Sequence, residues 1–359
     1  MYSIAALCIA LAASSTILTS CEDDEDKTTT EVSGELENGS TISGDITSNT
    51  TLAEGYEYKL SGGVHVKEGA TLTIKPGVKI TAIDDDTPDY ILIEQGAKID
   101  AQGTASNPIV MTSETPENKW GGIHICGKAH TNAESGSGSS EIGGAKYGGS
   151  DDKDNSGTLR YIRLEYTGFA LDEEHEANGI SFYGVGSGTT VDHIESYKGG
   201  DDGFEFFGGS VNVNNMVSFD SSDDSFDWTE GWNGSATNIL AYQMSAEDDC
   251  LIEADNNGKN YDAVPVSRPT IKNAILIGNG GDGRGIRLRA GTQVILDNVV
   301  ACGKNMPLTV ETGQTETALK NGDATITNTT ISANLNSKES IYTNEDFIKE
   351  PTNNIDATG

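Results

Sequence analysis

The 359-residue chain sets 56 Asp and Glu against 23 Lys and Arg, a formal net charge of −33, and holds 43 Gly but 8 Pro. That balance excludes nucleic acid as a partner, because phosphate binding needs a positive footprint; cations, or neutral and cation-bridged glycans, suit it better. Past residue 21 the cysteines are Cys126, Cys250 and Cys302, an odd count that permits one internal bridge and rules out a disulfide scaffold.

Residues 1–20, MYSIAALCIALAASSTILTS, hold no charge and read as a secretory segment. Leu18-Thr19-Ser20-Cys21 resembles the bacterial lipobox. The resemblance implies cleavage before Cys21 and lipidation of its thiol, with acyl chains tying the mature chain to outer-membrane lipid. No Lys or Arg precedes Lys27, a departure from the positive start of such segments that an upstream start would explain. The run Glu22-Asp23-Asp24-Glu25-Asp26 resembles the export signal of surface lipoproteins in Bacteroidota, which implies the cell surface rather than the periplasmic face. With the Thr-, Ser-, Gly- and Asn-rich stretch after it, residues 21–55 read as a flexible tether. No stretch beyond residue 20 is apolar enough to span a bilayer.

From residue 56 the chain becomes repetitive. GVHVKEGATLTIKPGVKITA (63–82) alternates apolar and polar residues between turns at Glu68-Gly69 and Pro76-Gly77, and residues 90–113 repeat the pattern. Further on, one strand type recurs as YIRLEY, HIESY, NMVSF, NILAY, NAILI, NVVAC and NTTIS, led by Tyr161, His193, Asn215, Asn238, Asn273, Asn298 and Asn328. The shortest intervals, 22 to 25 residues, define the period, and the longer ones contain loop-like insertions. A second type is interleaved: NGISFYG, DDGFEFFGG, DDSFDWTEG, DDCLIEAD and RGIRLRAG. Aligning Gly179, Gly203, Ser225, Cys250 and Gly285 as one small-residue column places Ile180, Phe204, Phe226, Leu251 and Ile286 in the next. Short strands at this period predict a single all-β parallel β-helix over residues 56–335, with on the order of 11 or 12 coils. A many-stranded sandwich would need tight hairpins, and few are visible. Residues 336–359 lose the repeat and read as a cap or tail.

The blocks GATLTIKPGVKI, GTASNPIVMTS, WGGIHICGKA, LRYIRLEYTG, GVGSGTTVDHIESYKGGDDGFEFFGG and DDSFDWTEGWNG resemble the right-handed, pectin-lyase-like β-helix superfamily, and more narrowly a set of secreted proteins and lipoproteins of Gram-negative bacteria. The resemblance implies the fold and the export route and carries no particular activity.

Stacked coils turn the aspartate pairs into a charge problem. Asp202, Asp224 and Asp249 are expected in one ladder with Asp201, Asp223 and Asp248 beside it, and Glu205 and Asp227 in the first outward position. Two carboxylates about 4.8 Å apart repel by roughly 3.5 kcal/mol at an effective dielectric of 20. Ca2+, which takes six to eight oxygens, is the preferred compensation, with these eight residues as ligands; the scattered histidines offer no zinc spacing. The plainer alternative has each Asp capping backbone N–H groups at a solvated turn. A third reading is catalytic. DDC followed by GIRLR resembles two polygalacturonase motifs, which implies Asp248 and Asp249 as the carboxylates of an inverting hydrolysis and Arg287 and Arg289 on the substrate. The Gly-His-Gly and Asn-Thr-Asp motifs of that family are missing.

Arg284 is aligned with the Asp202 column and Arg287 with the Glu205 column. They either end the ladder by ion pairing or serve lyase chemistry, in which Ca2+ acidifies the proton next to a uronate carboxyl and a basic residue removes it. Trp228, Trp232, Tyr183 and Tyr197 are candidates for a sugar-stacking groove, with the core as the alternative; His175 reads as a loop residue. The reading is a surface lipoprotein whose acidic, calcium-loaded β-helix face binds an extracellular polysaccharide. A lyase or hydrolase, or a structural rod, are the alternatives.

Overall fold

The computed structural model describes residues 34–85, 87–170 and 177–357; Cys21 and the expected leader, together with His175, lie outside the described residues. Among these residues twenty-six strands join one parallel hydrogen-bonded system, and a two-stranded antiparallel ribbon, Gly138–Ser139 with Lys146–Tyr147, stands apart. Each turn of the chain crosses three faces. The coil of Val64 runs from Gly63–Val66 on the first face to Thr71–Ile74 on the second and Lys79–Ala82 on the third, and then returns to Tyr90–Ile93 directly above its start. The molecule is therefore a parallel β-helix, and the period read from the sequence is one such turn.

On the first face, Asp45, His65, Leu92, His124, Ser181, Glu205, Asp227, Glu253, Arg287, Thr309 and Asn336 stand in one continuous column, eleven rungs long. Side chains alternate across a strand, so the residue before each of these points inward. Val64, Ile91, Ile123, Ile180, Phe204, Phe226, Ile252, Ile286 and Leu308 form that column, and all are buried. Removing each from water contributes about 1.5–3 kcal/mol, and no coil can bury its own residues without the next.

The recurring residues Tyr161, His193, Asn215, Asn238, Asn273, Asn298 and Asn328 are not the first residues of strands. All seven have positive φ, between 50° and 60°, and each is the single-residue corner between the second and third faces. Asn tolerates this conformation better than other side chains. The asparagines also bond to one another up the stack: Asn238 Nδ2 donates to Asn215 Oδ1 (3.2 Å), Asn273 to Asn238 (2.9 Å) and Asn298 to Asn273 (2.9 Å).

Both expected boundaries of the helix shift outward. Gly34–Leu36, Thr41–Ile46 and Thr50–Leu52 already pair in parallel register with later coils, so much of the stretch read as tether is coil. Apart from buried Thr50, its threonines and serines are exposed or half-exposed while Ile42, Ile46 and Leu52 are buried, and a polar composition with so sparse an apolar set passes for linker. At the other end Asn336–Ser337 and Asn354–Ile355 still pair with the stack. Between them helix Asn344–Lys349, started by a Thr343–Asp346 capping box, buries Phe347 and closes the core as a cap. No helix among the described residues is long and apolar enough to cross a membrane.

Candidate functional site: a buried carboxylate array on the first face

The outward side of the first face changes character along its length. Over the middle coils, Leu92, Cys126, Tyr183 and Phe207 pack with Tyr147, which belongs to the long insertion between the first and second faces of that coil. Tyr183 stacks on Phe207 with ring centroids 4.5 Å apart and has no exposed surface. Trp228 and Trp232 are equally buried, on the inside; Trp232 stacks on Phe206 at 4.0 Å and donates its indole N–H to Val211 O (3.1 Å). None of these three rings offers a face to a sugar, and the stacking groove expected from them is corrected to core and insertion packing. Tyr197 is partly exposed, but on the third face, in a stack with Phe219 and beneath the Arg163 guanidinium at 4.2 Å. It is not part of the same surface.

Beyond Phe207 the outward column becomes acidic: Glu205, Asp227 and Glu253 on successive rungs, then Arg287. Glu205 and Asp227 stand where the spacing places them. The third coil does not. Asp227 pairs with Glu253, so Ile252 rather than Leu251 takes the rung above Phe226, and the expected alignment is out by one residue. Counting back three positions from Glu205, Asp227, Glu253 and Arg287 gives the true neighbouring column, Asp202, Asp224, Cys250 and Arg284. Asp249 accordingly joins Asp201 and Asp223, and Asp248 falls outside the ladder. Its carboxylate accepts the Ser245 N–H at 3.0 Å, and its carbonyl accepts Lys304 Nζ at 2.6 Å. Arg284 keeps its assigned column and approaches Asp249 at 4.0 Å.

Within the ladder Asp202 and Asp224 do cap backbone groups. Asp202 Oδ1 accepts the Asp224 N–H (2.9 Å), and Asp224 Oδ1 accepts the Cys250 N–H (2.7 Å). The turns themselves are braced by buried Gln243, whose Nε2 donates to the carbonyls of Asp223 (2.9 Å), Cys250 (3.2 Å) and Ser221 (3.4 Å). Capping is thus part of the explanation, but these side chains are not on a solvated edge: Asp201, Asp202, Asp224 and Asp248 are all buried. Burial, and then neighbouring carboxylates, push Asp202, Glu205, Asp224 and Asp227 well above the usual carboxylate range. Burial also raises Asp248 and the Cys250 thiol.

Oxygens of Asp202, Glu205 and Asp227 lie within 4.8 Å of one another, as do those of Asp201, Asp202 and Asp223, and those of Asp224, Asp249 and Glu253 with Cys250 Sγ. Glu205 receives one hydrogen bond, from Asn178 Nδ2 at 2.6 Å, while Asp227 Oδ1 is buried with no partner. Among the described residues no basic side chain pairs with Asp202, Glu205 or Asp227. An orphaned carboxylate oxygen beside two more carboxylates is a donor set for a hard cation, and it fits Ca2+.

Arg287 and Arg289 are occupied. Arg287 Nη1 meets Glu253 at 2.7 Å and Arg287 Nε meets Glu311 at 3.4 Å; Arg289 pairs with Glu253 and, at 2.6 Å, with Asp255. They cover the acidic column by ion pairing, on Glu253, Asp255 and Glu311, and have no contact with Asp248 or Asp249. The polygalacturonase-like assignment of Asp248, Asp249, Arg287 and Arg289 to one hydrolytic centre is corrected on this geometry.

Glu253 and Asp255 escaped the sequence reading, as did a pocket beside the array. Asn132, Glu134, Thr229, Glu230, Asn257, Lys259 and Asn260 line a cavity of about 440 Å³ between the insertion and the loop after Asn256. Glu230 Oε2 there accepts the hydroxyls of Thr131 (2.7 Å) and Tyr147 (2.8 Å). Thr229 sits two residues from Asp227 on the same strand, so the pocket and the array adjoin.

Residues 44–359 match the family model of the pectate-lyase-like β-helix domain, and the chain belongs to that family. No curated protein and no solved structure matches it. The family fits a polysaccharide-related function in general terms.

Proposed function

We propose that the protein binds an extracellular polysaccharide through a calcium ion held by the carboxylates of the first face. The observation that carries this reading is the trio Asp202, Glu205 and Asp227, the first buried and the other two half-buried, with an enclosed unpartnered oxygen on Asp227 and no ion pair to any of the three among the described residues. Ionising three such carboxylates side by side would destabilise the coils that carry them, and a divalent cation offsets that cost while leaving coordination positions for a ligand. Asp201, Asp223, Asp224 and Asp249 extend the donor set. The adjoining pocket supplies amide and carboxylate groups suited to sugar hydroxyls, and a uronate-rich glycan would share the cation. Lipidation at Cys21 would place this face outside the cell, on an outer-membrane lipoprotein exposed at the surface.

The test is a panel of acidic and neutral polysaccharides presented to the protein with Ca2+ and with chelator. Calcium-dependent retention of an acidic glycan, lost in Asp227→Asn, is expected. Retention of none would leave the protein a structural rod; unsaturated or reducing-end products would make it an enzyme.

A further inference from the structure

Four rungs before Glu205, the same outward column carries His65, and around it the chemistry reverses. A cavity of about 420 Å³ opens there between the strand ends of the first face and the tip of the insertion, lined by His65, Lys67, Glu94, Gly143, Gly144 and Lys146 among others. In a chain with a net charge of −33 this pocket is locally balanced. Lys67 Nζ meets Glu94 at 2.7 Å and Asp45 at 3.3 Å, and Lys128 meets Glu68 at 3.6 Å. Each carboxylate lining the pocket is thus committed to a lysine. Lys146 is exposed and has no carboxylate partner among the described residues, so its charge is the one left to act on a ligand.

The rest of the pocket is built to the same end. Glu94 can only accept, so its 3.2 Å contact fixes the proton of His65 on Nδ1, and His65 Nε2 accepts the Tyr90 hydroxyl at 2.8 Å. The ring is held at both nitrogens and cannot swing into the cavity. Gly143 and Gly144 both have positive φ, 76° and 62°. A Cβ on Gly143 would approach Leu92 Cδ2 to 2.6 Å, so only glycine brings the insertion this close to the face. The amides of these two glycines have no hydrogen-bond partner among the described residues. Unpaired backbone N–H groups that line one cavity with an ammonium suit an anion.

We propose that this pocket binds the anionic substituent of a sugar, a carboxylate or a sulfate, on Lys146 and the amides of Gly143 and Gly144, without a metal. The site shares no residue with the carboxylate array and does not depend on calcium. It stands if the cation reading fails.

The experiment is a titration of the full chain in chelator with trigalacturonate, galactose 6-sulfate and galactose, followed by calorimetry and by the amide resonances of Gly143 and Gly144. We expect saturable binding of at least one anionic probe, none of galactose, and shifts at both glycines. Lys146→Ala should weaken the binding at least tenfold with an unchanged melting temperature, since Lys146 is on the surface; Asp227→Asn should not weaken it. Which anionic probe binds identifies the substituent. Absence of binding by both anionic probes in chelator, equal binding of galactose, or undiminished affinity in Lys146→Ala would each overturn the assignment.

Discussion

Replacing Asp227 by Asn in metal-free protein should make the fold more stable at neutral pH, an uncommon outcome for a half-buried polar residue. Asp227 faces Glu205 one rung away, about 4.8 Å along the stack. At an effective dielectric of 20, two ionised carboxylates at that spacing repel by roughly 3.5 kcal/mol. Burial raises both groups, together with Asp202 and Asp224; neighbouring carboxylates add to it, Glu141 and Asp227 at Glu205 and Glu253 and Asp255 at Asp227, where Arg289 works against the shift. A carboxyl whose folded pKa exceeds its unfolded value holds a proton longer in the folded chain. Stability is therefore greatest below the unfolded value, about 4, and is lost as pH rises through the folded values. Denaturation by guanidinium in chelator should place Asp227→Asn above the wild type by about 1–3 kcal/mol at pH 8. The gap should shrink at pH 5, where the wild-type cluster retains protons. A variant less stable than wild type at pH 8, or a wild type whose stability does not fall from pH 5 to 8, would refute the reasoning.

Arg289→Ala leaves buried Glu253 and Asp255 short of a counter-charge and should cost about 3–5 kcal/mol, less at pH 5 than at pH 8 in the same denaturation experiment. Trp232→Ala opens a cavity in the core and should cost about 3–5 kcal/mol, whereas Trp232→Phe should leave glycan retention at the wild-type level; a selective loss of retention would restore a sugar-binding role. Asn273→Ala breaks two ladder bonds and forces alanine to φ 55°, a loss of about 1–3 kcal/mol by thermal or chemical unfolding. Asn273→Gly should recover the backbone part of that loss.

The architecture was readable because a solenoid writes its period into the sequence: the seven corner residues recur at coil spacing, and Ile180, Phe204 and Phe226 do stack. What failed was register in one coil. Leu251 and Ile252 are both buried, so an apolar marker cannot distinguish them, and a slip of one residue turns every side chain to the opposite face. That slip hid Glu253 and Asp255 and moved Asp248 and Asp249 out of their columns. The aromatic residues failed for a different reason. Alternation places Tyr183 outward, but the sequence does not reveal that an insertion from the preceding coil folds back over it. The asparagines are visible as a repeat, yet their left-handed corners need a backbone angle that spacing does not contain.

The most direct measurement is a calorimetric titration of Ca2+ into chelator-treated protein, alongside Asp227→Asn. The carboxylate trio predicts saturable binding accompanied by a higher unfolding midpoint, with both effects strongly reduced in the variant. Absence of heat and of any midpoint shift in the wild type, or identical binding by the variant, would contradict a cation held at Asp202, Glu205 and Asp227.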